Sequence, residues 1–177
     1  MRWFWIDRFE EFISGKRATA LKSVSLAEEP IDEYSPYYPH FPASLIVEGI
    51  AQTGGILVSQ MRDFNVRVVL AKVNKCQFNF EARPGDKLTY RIELLNLQEF
   101  GAVVNGVVSR GDDVLCDAEL VFAYLGDQFE GVELFEPSEF CKMLRVLKLF
   151  EVGKNEDGSA IAVPDHMLAA EQALLGT

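Results

Sequence analysis

The sequence predicts an α+β domain in which a curled antiparallel β-sheet wraps one long buried helix. Three observations predict it. The run from Ala43 to Met61 is apolar nearly all round and too long for a strand. One hairpin pattern stands before it, and after it several segments alternate apolar and polar residues between turn signals. The order hairpin, helix, strands is satisfied most simply if the sheet curls around the helix.

The elements follow in order. Residues 7–26 read as a hairpin, with Gly15-Lys16 at the turn and Ala18, Ala20, Val24 and Leu26 on one face. Residues 27–42 (AEEPIDEYSPYYPHFP) are acidic and proline-broken, a loop with at most one short helical turn. The helix opens at Ala43 or Ser44. Its glycines, Gly49, Gly54 and Gly55, each cost roughly 1 kcal/mol relative to alanine, so they signal close approach to a sheet or a partner subunit. Residues 66–81 read as a long strand, bulged where the alternation changes phase before Cys76, Phe78 and Phe80. Arg83-Pro84-Gly85-Asp86 is a turn, and Leu88, Tyr90, Ile92 and Leu94 form one face of the next strand. Residues 103–109 and 114–125 repeat the pattern around Arg110-Gly111-Asp112-Asp113. An amphipathic helix is expected over 137–150, with Phe140, Met143, Leu144, Leu147 and Phe150 on its stripe. Lys154 to Ser159 is a solvated loop, and a short helix is expected over 165–175. The expected division is a main domain over 1–125 and a helical extension over 126–177, packed on the same domain or a neighbouring subunit.

Composition removes several function classes. With 177 residues and 49% hydrophobic content, the chain can bury one sizeable core. Lys plus Arg is 17 against 27 Asp plus Glu, a formal charge of −10. So acidic a chain is a poor binder of nucleic acid or anionic lipid. Cys76, Cys116 and Cys141 are odd in number, far apart in sequence and without a CxxC pair. They argue against a disulfide framework or structural zinc, fit a reducing cytoplasm, and are expected as buried inert thiols. The start, MRWFWIDRFEEF, lacks the pattern of a signal peptide. The longest apolar segment, 45–58, carries Glu48, Gln52 and paired glycines, too short and too polar to span a bilayer. No metal or redox cofactor is expected; the Asp112-Asp113 pair is a turn.

The chemistry concentrates in HFPASLIVEGIAQ, from His40 to Gln52. His40 stands before a Phe-Pro turn at the helix entrance, and Glu48 and Gln52 lie one turn apart inside an apolar helix. A neutral imidazole can take a proton near pH 7. A carboxyl group in apolar surroundings holds its proton to higher pH and can give it to a leaving hydroxyl. Bland readings stand beside these. A lone histidine among Tyr37, Tyr38 and Phe41 can be structural, and a helix carboxylate can be an interface-paired one. Gln52 suits an orienting role, and His166 reads as structural.

Over residues 5–125 the sequence resembles the 3-hydroxyacyl-(acyl carrier protein) dehydratases of bacterial fatty acid synthesis, which have the hot-dog fold. The resemblance rests on IDRFEEFISGKRATALKSVSL, HFP, LIVEGIAQTGGIL and FEARPGDKL, in that order. It implies a homodimer or a trimer of dimers, with each active site taking its histidine from one subunit and its acid from the other. His40 corresponds to the family histidine, Glu48 to the helix carboxylate and Gln52 to the glutamine one turn later. Backbone N–H groups of Ala43, Ser44 and Leu45 would meet the charge developing on the thioester oxygen. The implied reaction converts a 3-hydroxyacyl thioester to its trans-2-enoyl thioester.

The chain departs from the family where His40-Phe41-Pro42 runs straight into Ala43-Ser44-Leu45. Family members place a glycine and an M-P-G segment there. Ala43 can donate its N–H but lacks glycine's freedom of φ. The alternatives are a hot-dog acyl thioesterase, in which Glu48 activates water, and a non-catalytic acyl-binding homologue with a shortened loop. The carrier is acyl carrier protein or coenzyme A. Lys72, Lys75, Arg83 and Lys87, with Arg62 and Arg67, are the candidate basic patch for an acidic carrier; a scattered solvated set is the other reading.

Overall fold

A computed structural model describes residues 4–29, 31, 38–125 and 136–175. Strands β1 (Arg8–Ile13) and β2 (Arg17–Ser23) form the expected hairpin. Gly15 turns it at φ +68°, a left-handed conformation that glycine adopts without steric cost. Ala18, Ala20 and Val24 face the core, but Leu26 does not: it lies beyond the strand and is 61% exposed. Glu29 and Ile31 are helical; residue 30 and residues 32–37 of the expected loop lie outside the described residues.

Helix α1 (Ala43–Gln60) carries the apolar run, with Ile46, Ile50, Ile56, Leu57 and Val58 buried. Strands β3 (Val68–Phe78), β4 (Lys87–Gln98), β5 (Gly101–Arg110) and β6 (Asp113–Tyr124) follow. The sheet order is β3-β6-β5-β4-β2-β1-β7, where β7 (Gly153–Lys154) adds parallel to β1. The expected bulge in β3 is present as register shifts at Leu70/Lys72 and Val73/Lys75. The Arg83-Pro84-Gly85-Asp86 turn is closed by Asp86 N–H donating to the Arg83 carbonyl and by Arg83 N–H donating to the Asp86 carboxylate.

The helix and the sheet meet at the glycines. A Cβ on Gly49 would lie 2.6 Å from the Tyr90 ring, and one on Gly106 would lie 2.3 Å from Ile50. These contacts allow the α1 backbone to settle onto β4 and β5. Tyr90 fills the space with a cost. Its side chain is fully buried, and its hydroxyl meets no hydrogen-bond partner among the described residues. Burial pushes its ionisation far up. A buried unsatisfied hydroxyl costs roughly 1–3 kcal/mol. Tyr90→Phe should therefore stabilise the protein by about 1 kcal/mol, read as a raised denaturant midpoint at unchanged slope. A lowered midpoint would reveal a hydrogen bond that the fold does supply.

The C-terminal residues join the same core. Helix α2 (Pro137–Val146) ends earlier than its stripe of apolar residues suggests, because Lys148 takes a left-handed conformation at φ +61°. The chain then turns into a short helix, α3 (Leu149–Val152), so Leu147 and Phe150 are not on one continuous helix. The Glu136 carboxylate caps α2 by accepting from Glu139 N–H. The Ser138 hydroxyl and the same cap hydrogen bond hold the Glu136 carboxyl below its usual range. Helix α4 (Asp165–Leu175) packs on α2, with Arg145 forking onto Glu171 at 2.9 and 3.1 Å. Phe140 of α2 stands edge-on to Phe64 at 5.6 Å, just past the C-terminal end of α1. The extension thus packs at the end of α1 opposite to His40.

One expectation about cysteine is corrected. Cys116 and Cys141 are buried, but Cys76 is exposed, because β3 is the edge strand of the sheet. Cys76 and Cys116, distant in sequence, lie with sulfurs 3.8 Å apart on adjacent strands. Among the described residues no helix is long and apolar enough to cross a membrane.

Candidate active site

His40 lies in the segment entering α1. Phe41 pins that segment by an antiparallel bridge to Ala82, with its N–H donating to the Ala82 carbonyl at 2.8 Å. Trp5 packs edge-on against Phe41 with ring centroids 5.9 Å apart. His40 Nδ1 is 3.1 Å from the Tyr38 carbonyl. A carbonyl oxygen can only accept, so this bond puts the proton on Nδ1 and leaves Nε2 as a bare base. That tautomer lock was not readable from the sequence, since it depends on the fold of an irregular loop. The Arg83 guanidinium stacks on Tyr38 at 4.7 Å, and the Tyr38 ring lies 6.3 Å from that of His40.

Glu48 is half-buried on α1, five residues after its first, about 7.5 Å along the axis. Gln52 holds it. The Trp5 backbone N–H donates to Gln52 Oε1 at 2.9 Å, which fixes which end of the amide is which. Gln52 Nε2 then donates to Glu48 Oε1 at 3.1 Å. A backbone donor thus orients an amide, and the amide orients the carboxylate. The orienting role expected for Gln52 has a geometric basis, and Trp5 is the residue that sequence reasoning missed. Its signal was faint: a main-chain donor carries no residue type.

The helix entrance is open in part. The cap residue Pro42 makes no side-chain cap bond. Its carbonyl accepts from Leu45 N–H at 3.0 Å and from Ile46 N–H at 3.2 Å. The N–H groups of Ala43 and Ser44 meet no acceptor among the described residues. Of the three candidate oxyanion donors, Leu45 is therefore turned back into the helix, while Ala43 and Ser44 remain available at its positive end.

Within one chain His40 and Glu48 do not hydrogen-bond to each other. His40 bonds Tyr38, and Glu48 bonds Gln52. The core-side face of the edge strand β3 is apolar and uncovered. Leu70, Val73, Cys76 and Phe78 of β3 pair with Phe122, Leu120, Ala118 and Cys116 of β6, all buried, so all four point to the core side of the sheet. Yet Leu70, Val73 and Phe78 remain 40%, 42% and 41% exposed. An open groove of about 640 Å³ continues from Phe78 past Phe80 to Arg83 and Arg110.

Of the six candidate cations only Lys72 and Lys75 lie on β3; Arg62 and Arg67 precede it, Arg83 stands in the turn before β4 and Lys87 opens β4. Lys75 lies 3.8 Å from Asp117, Arg83 3.9 Å from Glu81 and Lys87 4.0 Å from Glu10. Arg62 stacks over Tyr124 at 5.8 Å. Among the described residues, Arg83 is the cation stacked on Tyr38 of the histidine loop.

A curled antiparallel sheet around one helix, with a base at the helix entrance and an oriented carboxylate within it, defines a hot-dog-fold protein carrying acid–base groups. Comparison with known proteins agrees. Residues 4–122 match the family model of the FabA-like domain. The chain is 34% identical to the 3-hydroxyacyl-[acyl-carrier-protein] dehydratase FabZ of Oceanobacillus iheyensis, over 67% of this chain and 85% of that protein. It is 35% identical to FabZ of Geobacillus thermodenitrificans, over 70% and 85%. Among solved structures, the dehydratase heterocomplex ApeI:P of Xenorhabdus doucetiae superposes with a TM-score of 0.58 at 17% identity, covering 71% of this chain and 85% of that one. The chain belongs to the FabA-like family, and its fold is the hot-dog fold.

Proposed function

We propose that the protein dehydrates 3-hydroxyacyl thioesters carried on acyl carrier protein, giving trans-2-enoyl thioesters in fatty acid synthesis. The relatives named above carry that activity in their names, and the observation that carries the reading here is the pair of differently held groups. His40 has Nε2 free, and Glu48 is oriented by Gln52. His40 Nε2 takes the proton beside the thioester carbonyl. The negative charge gathering on the carbonyl oxygen meets the N–H groups of Ala43 and Ser44 at the start of α1. Glu48, protonated, gives its proton to the departing hydroxyl, which leaves as water. Returning the proton from His40 to Glu48 through solvent resets the site.

The pair is completed across two chains. The uncovered core-side row on β3, together with its unpaired edge, calls for a second copy, because exposed sheet edges invite pairing. A homodimer would bring Glu48 of one subunit towards His40 of the other. The assembly works in the cytoplasm, and the carrier approaches at Arg83, beside the histidine loop.

The test follows enoyl thioester formation by ultraviolet absorbance from a 3-hydroxyacyl carrier-protein substrate, with thiol release monitored in the same samples. His40→Ala and Glu48→Gln should each lower turnover on the order of a thousandfold, the range of one acid–base group. Thiol release that survives His40→Ala would instead make the protein a thioesterase. Neither product, with substrate still bound, would make it an acyl-binding homologue.

A further inference from the structure

We propose that Arg83 is a positioning residue for His40, acting through Tyr38. The inference rests on His40 serving as the base of the proposed dehydration. Residues 38–41 are held at both ends by two consecutive residues of another segment. Phe41 N–H donates to the Ala82 carbonyl at 2.8 Å. The Arg83 guanidinium stacks on the Tyr38 ring, 4.7 Å from its centre. His40 lies between these two contacts, with Nδ1 3.1 Å from the Tyr38 carbonyl. The Phe41 contact is main chain to main chain, so it would form with almost any side chains at those positions. The Tyr38 contact depends on side chains alone. Among the described residues the Tyr38 hydroxyl makes no hydrogen bond, and the ring meets Arg83 and His40.

Arg83 is itself fixed in place. Its N–H donates to the Asp86 carboxylate at 2.8 Å, and Asp86 N–H donates back to the Arg83 carbonyl at 3.0 Å. Arg110 Nη1 donates to the same carboxylate at 3.0 Å and steadies the turn. Glu81 is the acid facing the guanidinium, at 3.9 Å, and both side chains are more than half exposed. Water screens an ion pair of that kind, so it does not pull Arg83 off the ring. A cation stacked on an exposed aromatic ring favours the stacked arrangement roughly two- to fivefold. That preference decides where the single proton of the neutral imidazole sits. With the Tyr38 carbonyl in place the proton stays on Nδ1, and Nε2 is free to take the substrate proton. With Tyr38 loose, the proton is free to sit on Nε2, and that nitrogen then has no lone pair to offer. Arg83 also lines the open groove of about 640 Å³, so a hold on His40 and a contact with the carrier separate only on a substrate without a carrier.

The experiment reads the tautomer directly. The chain has two histidines, so nitrogen-15 histidine labelling and long-range proton–nitrogen correlation spectra at mildly alkaline pH resolve both, and His166→Gln assigns them. Wild-type His40 should carry its proton on Nδ1, and Arg83→Ala should move the tautomer ratio towards Nε2 by roughly fivefold. Turnover of a 3-hydroxyacyl N-acetylcysteamine thioester, which has no carrier, should fall by a similar factor at unchanged KM. Arg83→Lys should lie between the two, because an ammonium keeps the charge but lacks the flat face that stacks. The substitution leaves the main-chain bonds of the turn intact, and the lysine variant carries the test if the alanine variant folds poorly. A wild-type tautomer ratio with wild-type carrier-free turnover in Arg83→Ala would overturn the proposal, and a raised KM for the carrier substrate alone would make Arg83 a carrier contact only. If the wild-type protein gives no enoyl product, the dehydration reading falls, and the tautomer ratio by itself decides whether Arg83 holds His40.

Discussion

Two inactive variants, His40→Ala and Glu48→Gln, should regain activity when their subunits are mixed by unfolding and refolding together. In a mixed dimer one site holds both substitutions and the other holds neither. Random pairing makes half the dimers mixed, so the mixture should recover about a quarter of the wild-type rate, from a baseline near zero. The physical basis is local. His40 is tied to Tyr38 and Glu48 to Gln52, and the two do not hydrogen-bond to each other within one chain. The apolar row of Leu70, Val73 and Phe78 lies uncovered on the edge strand. If the pair instead worked within one chain, mixing would restore nothing. Gel filtration of the mixture against each parent keeps a failure to reassemble distinct from a failure to complement.

Gly49→Ala should damage both stability and rate, although alanine is the better helix former. Propensity alone would favour alanine by roughly 1 kcal/mol. The added Cβ would sit 2.6 to 2.9 Å from the ring and hydroxyl of Tyr90, which is fully buried and has no room to withdraw. Overpacking of this kind costs roughly 3 kcal/mol. The steric effect wins, leaving a net loss of about 2 kcal/mol and a fall in Tm of roughly 6 °C. Because Glu48 is the adjacent residue, a shift of about 1 Å in α1 there should lower turnover on the order of a hundredfold. Adding Tyr90→Leu should be less harmful in the Gly49→Ala background than in wild type, since the smaller side chain makes room for the methyl. Equal, additive losses would show that the helix does not rest on that ring.

Much of the fold was legible because its signals are local. The bulge in β3, the left-handed Gly15 and the Arg83 to Asp86 turn each follow from residue type and period. Errors arose where distant segments decide. Cys76 occupies an apolar position in its strand, and burial was the natural expectation. Its strand proved to be the sheet edge, a fact of strand order rather than of residue type. The apolar stripe over 137–150 was read as one helix, but Lys148 breaks it so that Leu149 and Phe150 can turn towards β1 and the core.

By itself the sequence determined the class: one buried helix in a curled sheet, an acidic chain, and the residue types His40, Glu48 and Gln52, the last two one helical turn apart. It could do so because period, turn chemistry and motif spacing act over a few residues. The tertiary structure alone decided which ring nitrogen of His40 is free, how Trp5 N–H fixes Gln52 and so Glu48, and that Leu45 N–H is already spent on Pro42. Those are hydrogen bonds to main-chain groups. Every residue carries the same main-chain donor and acceptor, so nothing in the order of side chains announces which of them will meet.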